Sequence, residues 1–148
     1  MSYKIDFSES IPKMIGRLIK EHRELAPKLD EIRNATERDP LTGISLLKGM
    51  RKTILRHAIE EESRVMRVIM KDAKEESAES VRIMQEHRWV SEFLERRMNK
   101  LPDVSRAQAQ NEIQKFLADL RVHFKEEEDI VFPLTLEAFA SEGKTDSA

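Results

Sequence analysis

Apolar residues recur three or four positions apart in four long stretches, separated by short polar or proline-marked breaks. In the first stretch Ile11, Met14 or Ile15, Leu18, Leu25, Leu29 and Ile32 fall on one helical face, and His22 falls there with them. Ser8 or Ser10 is placed to cap this helix, with Pro12 in its first turn. Pro27 predicts a kink just beyond His22, because it cannot hydrogen-bond back one turn. Asp39-Pro40 reads as an N-cap followed by an N1 proline. From it a second helix is predicted to about residue 72, with Leu47, Met50, Ile54, His57, Glu61, Val65 and Val68 as its stripe and Gly43 and Gly49 weakening its beginning. Lys71 to Ser80 has no apolar period and reads as a turn. The third stripe is Ile83, His87, Val90, Leu94, Met98 and Leu101, and Pro102-Asp103 is expected to end that helix and cap the next. The fourth stripe is Ile113, Phe116, Leu120, His123, Glu127, Ile130 and Val131, with a second kink predicted at Pro133. Ahead of the helices, Tyr3, Ile5 and Phe7 alternate with polar residues, which predicts an extended arm over 1–10; Ser141 to Ala148 reads as a frayed tail.

Four helices joined by short turns predict an all-α, up-down-up-down four-helix bundle, with the 148 residues forming one domain. Residues equidistant from a turn face each other in an antiparallel pair. His22 and His57 are centred on Asp39-Pro40, Glu61 and His87 on residue 74 inside the second turn, and His87 and His123 on residue 105 beside Pro102-Asp103. All four histidines and both glutamates therefore arrive at one height inside the bundle, about 26 Å from the first turn at a rise of 1.5 Å per residue.

These are all the histidines of the chain, and they form one duplicated pattern, His…His-x3-Glu: His22 with His57 and Glu61, then His87 with His123 and Glu127. Histidine and glutamate four apart leave the same face of a helix one turn apart. Four imidazoles and two carboxylates facing a core are costly unless something pairs with them. One divalent ion takes about four ligands, so six imply two ions with the glutamates shared between them. That set leaves room for an oxo or hydroxo bridge and an exogenous ligand, and its mixed nitrogen and oxygen donors suit iron, with manganese or zinc as substitutes. Glu60, Glu62, Glu126 and Glu128 read as solvated or salt-bridged surface, with Glu60 or Glu126 as candidates to fill a further position. Trp89 points away from His87 around the helix, towards an outer face suited to an oligomer contact. Leu18, Leu25, Ile54, Ile83, Leu94, Phe116 and Leu120 would sheathe the metals, and such a sleeve admits a small uncharged ligand.

Composition narrows the alternatives. Hydrophobic residues are 39% and charged residues 36%, with four glycines and five prolines, a mixture suited to long amphipathic helices. The net charge of −2 selects neither nucleic acid nor an anionic membrane as partner. The absence of cysteine removes thiolate zinc sites, iron–sulfur clusters and cysteine nucleophiles and is compatible with a cytoplasmic protein. No apolar run reaches the roughly 18 residues of a membrane span. The ferritin-like arrangement needs Glu-x-x-His on two helices. Here the residues three before the histidines are Ile19, Ile54, Met84 and Leu120, which excludes it.

On His22, His57 with Glu61, His87, and His123 with Glu127, together with the flanking Glu-Glu-Glu runs and Val131-Phe132-Pro133-Leu134, the chain resembles the hemerythrin-like, or HHE cation-binding, family over nearly its whole length. The resemblance implies a non-haem di-iron centre in a four-helix bundle that binds, senses or reduces dioxygen, nitric oxide or peroxide; weak oxidase or peroxidase activity falls within that range. The alternative it leaves open is a metal-stabilised regulatory or interaction module, or an iron store. The family's reversible oxygen carriers have a further histidine where this chain has Ser91, and their His-x4-Asp spacing would select Glu128; the internal repeat with His57 and Glu61 selects Glu127.

Overall fold

The computed structural model describes residues 4–141, so Tyr3 of the expected arm and residues 142–148 of the expected tail lie outside the described residues. The described chain is all-helical, with four long helices and no strand. Helix α1 is Ile11–Arg38. Helix α2 covers 40–72 as Pro40–Glu60, a π-helical turn Glu61–Val65 and Met66–Asp72. Helix α3 covers 78–100 and contains a second π turn, Phe93–Arg97; α4 covers 106–141, with a third at Glu127–Val131.

The helix starts follow side-chain capping. Ser10, not Ser8, caps α1 by accepting from the Lys13 N–H at 3.3 Å, and Asp39 accepts from the Leu41 N–H at 3.2 Å to open α2. Pro102-Asp103 does end α3, in a single 3-10 turn, but the cap of α4 is Ser105, which accepts from the Gln108 N–H at 3.1 Å. Helix α1 continues without interruption through Pro27; one turn on, the Arg121 guanidinium of α4 bonds the Ala26 carbonyl at 3.1 Å and Asp30 at 2.5 Å. The irregularity of α4 falls at Glu127–Val131, just ahead of Pro133. Of the arm, Phe7 stays 59% exposed under the Arg64 guanidinium, and Arg64 also donates to the Asp6 carbonyl at 3.0 Å.

The π turns change which residues face inward. In α2 the Met66 N–H reaches back five residues to the Glu61 carbonyl, adding one residue to that turn. The stripe therefore shifts, and Ile69 is fully buried where simple spacing favours Val68, which is half-buried. In α4 the Phe132 N–H reaches the Glu127 carbonyl in the same way, and Thr135 takes the position corresponding to Ile69.

Two apolar clusters fill the interior. One holds Leu25, Leu29, Leu47, Ile54, Leu94 and Leu120 with Phe116; the other holds Met14, Leu18, Val65, Ile69, Ile83 and Phe132. Along every helix the histidines and Glu61 and Glu127 fall between these clusters, so the polar layer is closed at both ends by hydrocarbon.

Helix α1 packs tightly on α2 at Gly43, where an added Cβ would lie 2.0 Å from the Thr36 hydroxyl, itself bonded to the Ile32 carbonyl at 2.7 Å. Gly49 has nothing within 4 Å of such an atom. Gly49→Ala is therefore expected to raise stability by about 0.5–1 kcal/mol, through helix propensity alone. Gly43→Ala is expected to lower it by about 1–3 kcal/mol, since the added methyl overpacks a filled contact. Urea denaturation of the two variants beside wild type measures both.

Candidate metal centre

His22 of α1, His57 and Glu61 of α2, His87 of α3, and His123 and Glu127 of α4 converge in the layer between the apolar clusters. All are buried: Glu61 and Glu127 are 0% exposed, and the histidines between 2% and 6%. They form two groups, His22, His57, Glu61 and Glu127, and Glu61, His87, His123 and Glu127, in each of which the donor atoms lie within 4.8 Å of one another.

The two carboxylates are divided between the groups atom by atom. Glu61 turns Oε2 to His57 Nε2 (3.2 Å) and Oε1 to His87 Nε2 (3.1 Å). Glu127 turns Oε1 to His22 Nε2 (3.1 Å) and Oε2 to His87 and His123 Nε2 (3.3 and 3.0 Å). His22 and His57 bring their Nε2 atoms to 3.0 Å, and the ring centroids are 4.8 Å apart in both histidine pairs. Yet both oxygens of Glu61, Oε1 of Glu127 and Nε2 of His123 are buried with no hydrogen bond, because these atoms aim at shared points and not along one another's donor directions. Donors about 2.1 Å from an ion sit roughly 3.0–3.4 Å apart, so these separations and the orphaned atoms fit a metal ion at each group.

Every histidine is held from behind by a carboxylate. His22 Nδ1 meets Glu128 at 2.7 Å, His57 Nδ1 meets Glu21 at 2.8 Å, His87 Nδ1 meets Glu62 at 3.2 Å and His123 Nδ1 meets Glu86 at 2.8 Å. Each contact engages Nδ1 and leaves Nε2 as the ring nitrogen that faces inward, ready to carry a lone pair once its proton is lost. The sequence offsets are nearly constant: 65 residues relate Glu21 to Glu86 and His22 to His87, and 66 relate His57 to His123, Glu61 to Glu127 and Glu62 to Glu128. The contacts repeat with those offsets, so the duplication extends to the supporting residues.

An outer tier of arginines holds three of the four supports, Glu21, Glu86 and Glu128. Arg17 bonds Glu21 at 2.9 Å and Arg82 bonds Glu86 at 3.3 Å; Arg23 bonds Glu128 through both nitrogens, at 2.8 and 2.6 Å. Arg17 and Arg56 both bond Glu60, which is buried at 4% exposure. Glu60 is thus ion-paired as expected, but inside the protein and not on its surface, because α1 and α2 close over it. Glu126 pairs with Arg82 at 3.0 Å and stays half-buried, while Glu128 lies behind His22, with Glu127 in the cluster. Ser91 bonds Glu95 at 2.6 Å. Trp89 packs edge-on against Phe116 at 5.7 Å, away from the histidine layer.

The supporting carboxylates are what spacing alone misses. Glu21-His22 and Glu86-His87 repeat in the sequence, as do the Glu-Glu-Glu runs, but the histidine each carboxylate serves lies on another helix and emerges only on folding.

Charge follows from these contacts. Burial opposes protonation of His57, but the Glu61, Glu21 and Glu127 carboxylates overcome it and raise its pKa to about 10. Burial likewise disfavours the His87 cation, and Glu127, Glu61 and Glu62 bring it to about 12; His123 is raised by Glu127 against the same burial. Burial works against the Glu127 carboxylate too, while its contacts with His123, His22 and His87 hold it well below the ordinary range. Glu21 is pushed up by burial and brought down to about 2 by His57, Arg56 and Arg17. The metal-free layer thus holds protons on His57 and His87 at neutral pH, both values lying above 7. Metal must displace them. Loading at pH 7 in weak buffer with a pH indicator is expected to release at least about two protons per chain, one each from His57 and His87.

Comparison of the chain with protein-family models, with curated proteins and with solved structures gives no match. No helix among the described residues is long and apolar enough to cross a membrane.

Proposed function

We propose that the protein is a non-haem di-iron protein of the hemerythrin-like class, an up-down-up-down bundle that binds, senses or reduces a small ligand such as dioxygen, nitric oxide or peroxide. One observation carries this reading: two buried pairs of imidazoles share two carboxylates, each carboxylate sending one oxygen to each pair. His22 and His57 would hold one iron, His87 and His123 the other, and Glu61 and Glu127 would bridge them. Two nitrogens and two oxygens per ion leave positions open on a six-coordinate metal. Iron, when bound by these residues, would supply a place and electrons for binding or reducing the small ligand.

The protein's own part is to prepare the site. Glu21, Glu62, Glu86 and Glu128 keep the imidazole Nε2 lone pairs aimed inward, and the apolar clusters keep bulk water away along the bundle axis. Ser91 supplies no further nitrogen, so the His87–His123 side keeps the same number of protein ligands as the other. This equality favours ligand turnover or sensing over faithful reversible carriage.

Anaerobic reconstitution with ferrous iron is expected to give about two ions per chain, the number that six ligands of this kind sustain with sharing. Exposure to air should then bring up a near-ultraviolet absorption band. Joint replacement His57→Ala and His123→Ala is expected to leave less than about half of that iron, since each set loses one of four protein ligands. Two bound ions with no spectral response to oxygen or peroxide would favour the metal-stabilised module; no bound iron in wild type would overturn the di-iron reading.

A further inference from the structure

The histidine layer is closed above and below by the two apolar clusters, so an exogenous ligand must arrive from the side. Two grooves reach it there. The larger, about 780 Å³, is lined by Ala58, Glu62, Met84, His87, Arg88 and Ser91 among others. The smaller, about 310 Å³, includes His22, Arg23, Ala26, Phe124 and Glu128 in its lining. The offsets of 65 and 66 residues pair these linings: His87 with His22, Arg88 with Arg23, Ser91 with Ala26, Glu62 with Glu128, and Ala58 with Phe124. The grooves are two versions of one site, and their differences are informative.

Over His22 the Phe124 ring lies stacked, with centroids 4.1 Å apart and planes 18° from parallel. At the corresponding place beside His87 the chain has the methyl group of Ala58. Arg23 clamps Glu128 with two hydrogen bonds and leaves that carboxylate side chain 17% exposed, whereas its counterpart Glu62 is 52% exposed. His87 is accordingly the most exposed of the four imidazoles, at 6% against 3% for His22.

Resting on the di-iron reading, we infer that the two ions differ in access: a small uncharged ligand reaches the centre through the groove over His87, and Ala58 keeps that side open while Phe124 seals the other. The two ligand sets are alike in composition, so the selection of one ion comes from the walls and not from the donors. The groove is lined by apolar Ala58, Met66, Val81 and Met84 together with polar Glu62, Arg88 and Ser91, and a neutral two-atom molecule crosses it without the desolvation cost that a charged ligand would meet beside the apolar part of the wall. Ala58 and Phe124 are specificity-determining positions in this scheme, since neither carries a donor atom on its side chain.

The test uses nitric oxide as a neutral probe, mixed anaerobically with the ferrous protein and followed by stopped-flow absorbance, with iron content measured on the same samples. Ala58→Phe is expected to keep about two ions per chain and slow nitric oxide association by about tenfold or more, within the range single changes produce in on-rates. Ser91→Trp, which fills the same groove from α3, is expected to act in the same direction and covers the case in which Ala58→Phe does not fold. A metal-independent measurement stands beside these. The chain lacks cysteine, so Ser91→Cys and Ala26→Cys can be alkylated singly in the metal-free protein, and the first is expected to react about tenfold faster because thiol reactivity follows access. Unchanged nitric oxide association in an iron-replete groove-filling variant, or equal alkylation at the two positions, overturns the inference and leaves the di-iron reading intact. Failure of wild type to bind iron or nitric oxide overturns the di-iron reading itself.

Discussion

A chain carrying His22→Leu, His57→Leu, His87→Leu, His123→Leu, Glu61→Met and Glu127→Met is expected to bind no metal and to exceed the metal-free wild type in stability by on the order of 4 kcal/mol. The six groups lie at 6% exposure or less, and four of their donor atoms have no hydrogen bond. Without metal, the layer must keep imidazolium and carboxylate charges in a space walled by hydrocarbon, and burial opposes each of them. Leucine and methionine of similar size would join the two clusters into one continuous core. The supports Glu21, Glu62, Glu86 and Glu128 are less deeply buried, and their arginine partners or solvent can take over their hydrogen bonds.

The comparison belongs in urea denaturation with chelator present, where the midpoint should rise with little change in slope. Loaded wild type should stand above its own metal-free form, since each ion at a hundred to a thousand times its dissociation constant adds about 2.7–4.1 kcal/mol. For two ions, at about 2–4 °C per kcal/mol for a domain near this size, chelation should lower wild-type Tm by about 10–30 °C and leave the substituted chain unmoved. A substituted chain less stable than metal-free wild type would mean that the polar layer holds the fold together without metal.

The second large effect concerns the supports. Glu21→Ala with Glu128→Ala removes both carboxylates behind His57 and His22 and is expected to weaken the ion held there by about 10²–10⁴-fold, since loss of one such partner typically costs 10–100-fold. The freed imidazoles lose their fixed tautomer, Arg23 loses its Glu128 partner, and Arg17 and Arg56 lose Glu21 but keep Glu60. Glu62 and Glu86 remain in place behind His87 and His123. A chelator-competition titration should therefore resolve one ion near wild-type affinity and one much weaker. The mirrored pair Glu62→Ala with Glu86→Ala should weaken the other ion. Two ions lost together, or neither, would contradict the division of the donors into separate sets.

The four helices were legible because burial imposes a period: Leu18, Leu25, Leu29 and Ile32 in α1, and Ile83, Val90, Leu94 and Met98 in α3, are buried where their spacing puts them. The six donors were legible for a related reason. A polar residue on an apolar stripe is conspicuous, and the equal distances of His22, His57, His87 and His123 from the turns place them at one level. The π turns were not legible, since a single inserted residue leaves no mark except a stripe that slips by one, as at Val68 and Ile69. Nor was the burial of Glu60, whose charge is neutralised by Arg17 from α1 together with Arg56 on its own helix.

The sequence by itself determined an all-helical chain with a duplicated set of inward-facing imidazoles and carboxylates, because helical periodicity and the cost of burying polar groups act residue by residue along one strand of chain. Only the tertiary structure decided which oxygen of Glu61 and Glu127 meets which histidine, which carboxylate stands behind each ring, and that Phe124 stacks over His22 while Ala58 lines the groove beside His87. Those are relations between helices, set by how side chains from different parts of the chain fill shared space, and local spacing does not carry them.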